Sequence, residues 1–196
     1  MIDPSDVTAV IMAGGQATRM GGRDKGLIPL QNRPMIEHVI ERLQPQISTI
    51  LINANRNLAH YQAYGLPVIQ DQTTAFLGPL SGLLAGLCYC TTPFVITVPC
   101  DAPRIPTDYI ARLCASTATL CAVSTGGHLQ PTFARVHQRY TDNLQAYLDQ
   151  GQRAAGQWLR RNHCDPIDFS DQLSGFVNLN QLDDITQWEQ SYLDEA

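Results

Sequence analysis

The 196-residue chain lacks an apolar run long enough to cross a bilayer. Its best candidate, residues 77–89, is broken by Gly78, Pro79, Ser81, Gly82 and Gly86. No basic excess is present either. The formal net charge is −5, which argues against nucleic acid or an anionic membrane surface as the main partner, because both select a basic face. The opening Met1-Ile-Asp-Pro-Ser-Asp has neither the basic start nor the apolar core of a secretory signal, so a cytoplasmic location is expected. The six cysteines include no C-x-x-C pair. Cys88, Cys90, Cys100 and Cys121 sit in or beside apolar segments and are expected to be buried reduced thiols. Cys88-x-Cys90 has the wrong spacing for zinc, and His60, His128 and His163 stand apart.

What is present begins at residues 7–25. An apolar run through Val10, Ile11 and Met12 ends at Ala13-Gly14-Gly15, and a loop follows with Arg19, Met20, Gly21, Gly22, Arg23, Asp24 and Lys25. Glycines let backbone N–H groups converge on an anion without an intervening Cβ. Three cations against Asp24 leave this loop positive within an acidic chain, which suits a polyphosphate. It is not a P-loop, since Lys25 precedes Gly26 rather than Ser or Thr, and it never spells Gly-x-Gly-x-x-Gly. A glycine-rich turn with a solvated basic tip is the plainer alternative.

Strand-like runs at 7–12, 49–53, 67–69, 94–98 and 119–123 alternate with helical patterns at 34–43, 80–89 and 106–114. A strand is expected at 130–136, one or two helices at 144–161, a short strand at 176–179 and a closing helix at 182–192. This alternation predicts an α/β, three-layer, Rossmann-like fold with a mostly parallel central sheet, and one domain over 1–196. Ligands of such sheets bind beyond the carboxyl ends of the strands. The residues from Gly14 to Lys25, Asn53, Asp71 and Asp101 all follow strand-like runs, so they are expected on one edge.

Asp101 follows a buried strand, where a lone carboxylate suits Mg²⁺ with phosphate oxygens completing its shell. It could equally open a turn before Pro103 or cap the next helix. Asn53 and Asp71 can hydrogen-bond a ribose or a base edge, and both types are also common turn formers. Residues Gly78, Pro79, Leu80, Ser81 and Gly82 lead into a helix whose first amides could approach a ligand or merely build a tight turn. Asn178 and Asn180 would share one face of the short strand at 176–179, or simply be the wet side of an edge strand. No covalent nucleophile is apparent. Cys100 lies beside Asp101, which raises a thiol pKa, and Ser124 lacks a nucleophile elbow.

These segments resemble the molybdenum cofactor guanylyltransferases, within the nucleotidyltransferase fold of the sugar-nucleotide pyrophosphorylases. The resemblance is carried by Met12-Ala13-Gly14-Gly15, Arg19-Met20-Gly21, Asp24-Lys25, Gly78-Pro79-Leu80-Ser81-Gly82, Cys100-Asp101-Ala102-Pro103, Gln130-Pro131 and residues 176–180. It implies transfer of GMP from GTP, with Mg²⁺, to the terminal phosphate of (molybdenum-)molybdopterin, with release of pyrophosphate. It further implies that the backbone of Met12, Ala13 and Gly14 contacts the nucleotide, with Gly15, Pro79 and Leu80 in the same binding segments. Lys25 and Arg19 would hold phosphate charge, Asn53 and Asp71 the nucleoside, and Asp101 both GTP and metal. Asn178 and Asn180 would lie toward molybdopterin. Residues to about 125 would bind GTP, and 126–196 would complete the acceptor site.

This sequence departs from many relatives at Gln130, where histidine is common, at Ala154, where some have arginine, and at Met12, which replaces leucine. A monomer is expected, with transient contacts to other molybdenum cofactor biosynthesis proteins and acceptor molybdoenzymes. The competing readings are a relative that uses CTP or a sugar-phosphate acceptor, and a GTP-binding module without chemistry.

Overall fold

Strand β1 (Val7–Met12) sends Val7, Ala9 and Ile11 into one apolar core and Val10 into a second on the opposite side. That alternation follows from the two-residue repeat of an extended chain, and burial on both faces marks a central strand. The computed structural model describes residues 1–13, 23–72 and 78–194. After β1 come a small hairpin, β2 (Pro29–Leu30) and β3 (Arg33–Pro34), and helix α1 (Met35–Leu43). Then follow β4 (Ile50–Asn53), α2 (Leu58–Gln62), β5 (Val68–Ile69), α3 (Pro79–Tyr89) and β6 (Phe94–Pro99). The second half runs α4 (Tyr109–Ala115), β7 (Leu120–Thr125), β8 (His128–His137), α5 (Thr141–Asp149), α6 (Ala155–Arg161), β9 (Asp165–Asp168) and α7 (Leu182–Asp194).

The seven-stranded sheet has the order β5-β4-β1-β6-β8-β7-β9. β1 pairs in parallel with both β4 and β6, and only β8 runs against its neighbours. Helices α1 and α4, with Tyr61 of α2, cover one face; α3, α5 and α6 cover the other. The mostly parallel, three-layer α/β arrangement expected from the alternation of runs is therefore present. β4 and β5 extend the sheet to one side of β1 and β6 resumes it on the other, so strand order reverses at β1. Crevices form at such reversals, outside the carboxyl ends of the strands.

Arg135 of β8 is buried under α4. Its guanidinium donates to the carbonyls of Leu113, Ser116 and Ala118 and lies 4.9 Å from the Phe94 ring centroid. It thereby satisfies carbonyls that the end of α4 leaves unpaired. A third, small core joins the two ends of the chain: Ile28, Leu30 and Met35 pack on Leu179 and Ile185. α7 begins with the Asp184 carboxylate accepting the N–H groups of Asn180 and Gln181, the reach-back half of a capping box.

Several expectations are corrected. Residues 176–179 form no strand. Phe176 ends a 3-10 segment (Ser170–Phe176) and packs edge-on against Phe133 and Phe169, while the Leu179 N–H donates to the Asp101 carbonyl instead of a ladder. The edge strand beside β7 is β9, unexpected because Asp-Pro-Ile-Asp carries two acids and a proline. Those residues are tolerated where one side of the strand is open. The region 144–161 is two helices, α5 and α6, separated at Gly151, whose φ is +76°. Cys88 is exposed, not buried; it falls on the outer face of α3, whereas Cys90, Cys100 and Cys121 are buried. Among the described residues no helix is long and apolar enough to cross a membrane.

Candidate active site

A cavity of about 350 Å³ opens beyond the carboxyl ends of β1, β4 and β6, at the point where strand order reverses. Its volume lies in the range of roughly 300–1,000 Å³ typical of small-molecule sites. Met12, Asn53 and Pro99 close the strand ends, and Asp71, Asp101, Lys25 and the first turn of α3 complete the wall. Asn178 and Asn180 enter from the C-terminal segment. Ala13 and Leu80 stand behind the wall in the two cores, and the Ala13 N–H donates to the Asn53 carbonyl at 2.8 Å. Gly14, Gly15 and Arg19 lie outside the described residues.

Lys25 Nζ donates to Asp101 Oδ2 at 2.9 Å and to Asn180 Oδ1 at 2.6 Å. Asp101 is 6% exposed, so this ion pair is held largely out of water and screened less than a surface pair. The carboxylate does not cap α4, where Asp108 precedes the helix without a capping bond. Among the described residues Asp101 Oδ1 has no hydrogen-bond partner. One oxygen thus faces the cation and the other remains available to a ligand. Cys100, next to it, is buried. Burial first, and then the charges of Asp101 and Asp24, push its thiol well above the usual range, so it is no nucleophile.

Lys25 is aimed by the residue before it. Asp24 is buried and accepts from the Tyr61 hydroxyl at 2.5 Å and Asn57 Nδ2 at 3.0 Å, with Arg56 Nε 3.5 Å away. The Arg56 guanidinium also donates to the Arg23 carbonyl at 3.0 Å. The segment leading into Lys25 is therefore pinned from below by α2 and the turn before it. Burial, reinforced by Cys100 and Asp24, pushes the Tyr61 pKa strongly up, so the phenol remains a donor. Sequence reasoning named Asp24 only within a motif and missed Tyr61. The short α2 has too few residues for a readable periodicity, and nothing local marks Tyr61 as reaching Asp24, 37 residues earlier.

The opposite wall is built around Asp71. Its carboxylate accepts from Asn53 Nδ2 at 3.0 Å, Asn55 Nδ2 at 2.9 Å and Ser81 Oγ at 2.7 Å, while its own N–H donates to Asn55 Oδ1 at 2.9 Å. Asn55 and Ser81 are additions to the expected set; the Asn-Ala-Asn spacing, which places one amide at the end of β4 and the other just past it, was the available signal for Asn55. α3 is preceded by Gly78, whose φ of +76° and ψ of −165° are essentially confined to glycine. Gly82 is required by close approach, since a Cβ there would lie 2.5 Å from Asn53 Oδ1. Asn53 and the first turn of α3 are thus in direct contact, forming one rigid wall.

The C-terminal asparagines meet in this cavity without a strand to align them. Asn180 Nδ2 donates to the Asn178 carbonyl at 3.1 Å, and the buried Asn178 Oδ1 has no donor. Gln130 points its amide to Thr125 Oγ1 at 2.7 Å and does not line the cavity, whereas Thr132, two residues on, does. Ala154 is exposed at the start of α6.

One cation and one buried carboxylate at a strand-order reversal suit a ligand bearing phosphates. The family model described as a MobA-like NTP transferase domain matches residues 9–166. A molybdenum cofactor guanylyltransferase of Shewanella halifaxensis (strain HAW-EB4) is 46% identical over 180 residues, covering 90% of each chain. The protein of the same name from Vibrio vulnificus (strain YJ016) is 46% identical over 193 residues, covering 97% of this chain and 98% of its own. The chain belongs to the molybdenum cofactor guanylyltransferase family. As a member of that family it is an enzyme, a nucleotidyltransferase. Its fold is also that of a molybdopterin-guanine dinucleotide biosynthesis protein A from Archaeoglobus fulgidus, with a TM-score of 0.78 at 19% identity over 95% of this chain and 99% of that one. A 4-diphosphocytidyl-2C-methyl-D-erythritol synthase from Anaerococcus prevotii superposes with a TM-score of 0.73 at 11% identity, covering 98% and 100%. At those identities the likeness to both structures shows the shared fold alone.

Proposed function

We propose that this cavity binds GTP and transfers its GMP to the terminal phosphate of (molybdenum-)molybdopterin, giving the guanine dinucleotide cofactor and pyrophosphate. An oxygen of the acceptor phosphate attacks the α-phosphorus of GTP, and the bond from that phosphorus to the β-phosphate oxygen breaks. The observation that carries this reading is the 2.9 Å Lys25–Asp101 pair in the crevice. It supplies a cation for the phosphates and a carboxylate with a spare oxygen, in a chain of this family.

The residues fit Mg²⁺. That cation takes one or two carboxylates and fills its shell with phosphate oxygens and water. Asp101 Oδ1 is available, whereas both oxygens of Asp71 already accept, three donors between them, which leaves an acceptor site for a nucleoside donor. Among the described residues no cluster of three or more His, Cys, Asp or Glu forms an all-protein cage, in keeping with a metal held jointly with substrate. Asp101 would hold the ion, which when bound neutralises phosphate charge. Lys25 takes up negative charge on the departing pyrophosphate, with Arg19 as its companion. Asn53 and Asp71 take the nucleoside, the backbone at Met12, Ala13, Gly14 and Gly15 approaches the nucleotide, and Gly78, Pro79, Leu80 and Gly82 form the segment opposite. Asn178, with its unpartnered oxygen, faces the acceptor.

We assign residues to about 125 chiefly to GTP and 126–196 to completing the acceptor side of one domain. The enzyme acts as a cytoplasmic monomer with transient contacts to cofactor-biosynthesis and acceptor proteins. The test is a transfer assay with molybdopterin as acceptor and GTP, CTP or UTP as donor, reading pyrophosphate and the dinucleotide product. GTP-dependent product supports the reading. Preference for CTP would overturn the guanine assignment, and GTP binding without pyrophosphate release would overturn the chemistry.

A further inference from the structure

Asn180 stands 155 residues from Lys25 in sequence, yet its Oδ1 is the closest hydrogen-bond partner of the Lys25 ammonium, at 2.6 Å. A lysine ammonium has three donors. Asp101 Oδ2 takes one and Asn180 Oδ1 a second. Two acceptors at fixed positions define where Nζ sits and leave the third N–H for a phosphate oxygen. The geometry points to Asn180 as a positioning residue for the donor phosphates, acting through Lys25, rather than as a contact of the acceptor alone. This assignment rests on the phosphate-transfer reading above and deepens it.

Asn180 is itself held firmly. Its backbone N–H donates to Asp184 Oδ2 at 2.7 Å, its amide Nδ2 to the Asn178 carbonyl at 3.1 Å, and the preceding Leu179 N–H to the Asp101 carbonyl at 2.9 Å. Leu179 then anchors the segment in the small core with Ile28, Leu30 and Met35, which follow Lys25 in sequence. Lysine and asparagine are therefore mounted on one packed unit, and their bond is preorganised before any substrate arrives. Asn178, two residues away, has the unpartnered oxygen and no bond to Lys25. The two asparagines thus differ in role: Asn180 holds Lys25, and Asn178 leaves its side-chain oxygen unpartnered.

The test measures binding of GTP, and separately of inorganic pyrophosphate, each with Mg²⁺ and without acceptor, by calorimetry on the full chain. Asn180→Ala is expected to weaken both by about tenfold, the scale of one charge-assisted hydrogen bond. Asn180→Asp keeps the shape and adds a second carboxylate against Lys25, and is expected to weaken both further. Lys25→Ala weakens binding as well, and Asn180→Ala added to it is expected to cost nothing more, because the amide acts only through the ammonium. An unchanged affinity in Asn180→Ala, or losses that add in the double variant, would overturn the assignment. Additive losses are also what a merely structural role would produce. Wild-type protein that bound pyrophosphate but not GTP would overturn the guanine reading, and the pyrophosphate cycle would still decide Asn180. Wild type binding neither would overturn both.

Discussion

Tyr61→Phe tests whether α2 controls the chemistry through Asp24. The ring sits in the core with no exposed surface, and phenylalanine fills the same space, so no cavity opens. What is lost is one hydroxyl that donates to a buried carboxylate at 2.5 Å. Hydrogen bonds to charged groups contribute about 1.5–3 kcal/mol, and Asn57 and Arg56 remain beside Asp24 to take part of the load. A loss of about 2 kcal/mol is expected, which in a chain of this length lowers Tm by about 4–8 °C. Because Asp24 immediately precedes Lys25, loosening it should also raise KM for GTP several-fold. Urea denaturation with a GTP titration of initial rates measures both effects. A stability change below about 0.5 kcal/mol, the range of ordinary surface substitutions, would refute the clamp. A stability loss of the expected size with an unchanged KM would show that Asp24 supports the fold and not the position of Lys25.

Three further outcomes follow from the same geometry. Lys25→Ala and Asp101→Ala should each abolish pyrophosphate release while leaving the protein folded by circular dichroism; near-native turnover in either would remove that residue from the mechanism. Gly82→Ala drives a Cβ to 2.5 Å from Asn53 Oδ1, so the Asn53–Asp71 bond must break. An overpacking cost of about 1–3 kcal/mol and weaker GTP binding are expected, and wild-type values for both would show that the wall is soft. Stability should fall in alkali, because burial pushes Cys121 up to about 11, Cys164 up to about 12 and Cys100 upward as well. Unfolded thiols ionise near about 8.5 while the folded ones keep their protons, so the stabilisation is complete below that value and lost as pH rises through the folded range. Denaturation midpoints at pH 7, 9 and 10 check the sign, and a midpoint flat to pH 10 would contradict it.

The sequence alone determined the central strands of the sheet and most of the cavity's inventory. β1, β4 and β6 are short, doubly buried runs whose apolar character survives any context; Met12 and Asn53 end two of them and Asp101 follows the third, at the strand ends where such sheets hold ligands. Lys25 stands in that cavity as the local pattern placed it, whereas residues 14–22 lie outside the described residues. Tertiary structure decided the partnerships. A strand reading of residues 176–179 was consistent with Asn178 and Asn180 two residues apart beside Phe176 and Val177, but the Leu179 N–H goes to the Asp101 carbonyl and Phe176 to an aromatic cluster, so no ladder forms. That Asn180 meets Lys25, or that Tyr61 meets Asp24, is set by the packing of elements far apart in the chain. Periodicity reports which face of a segment is buried; it does not report which distant donor arrives there.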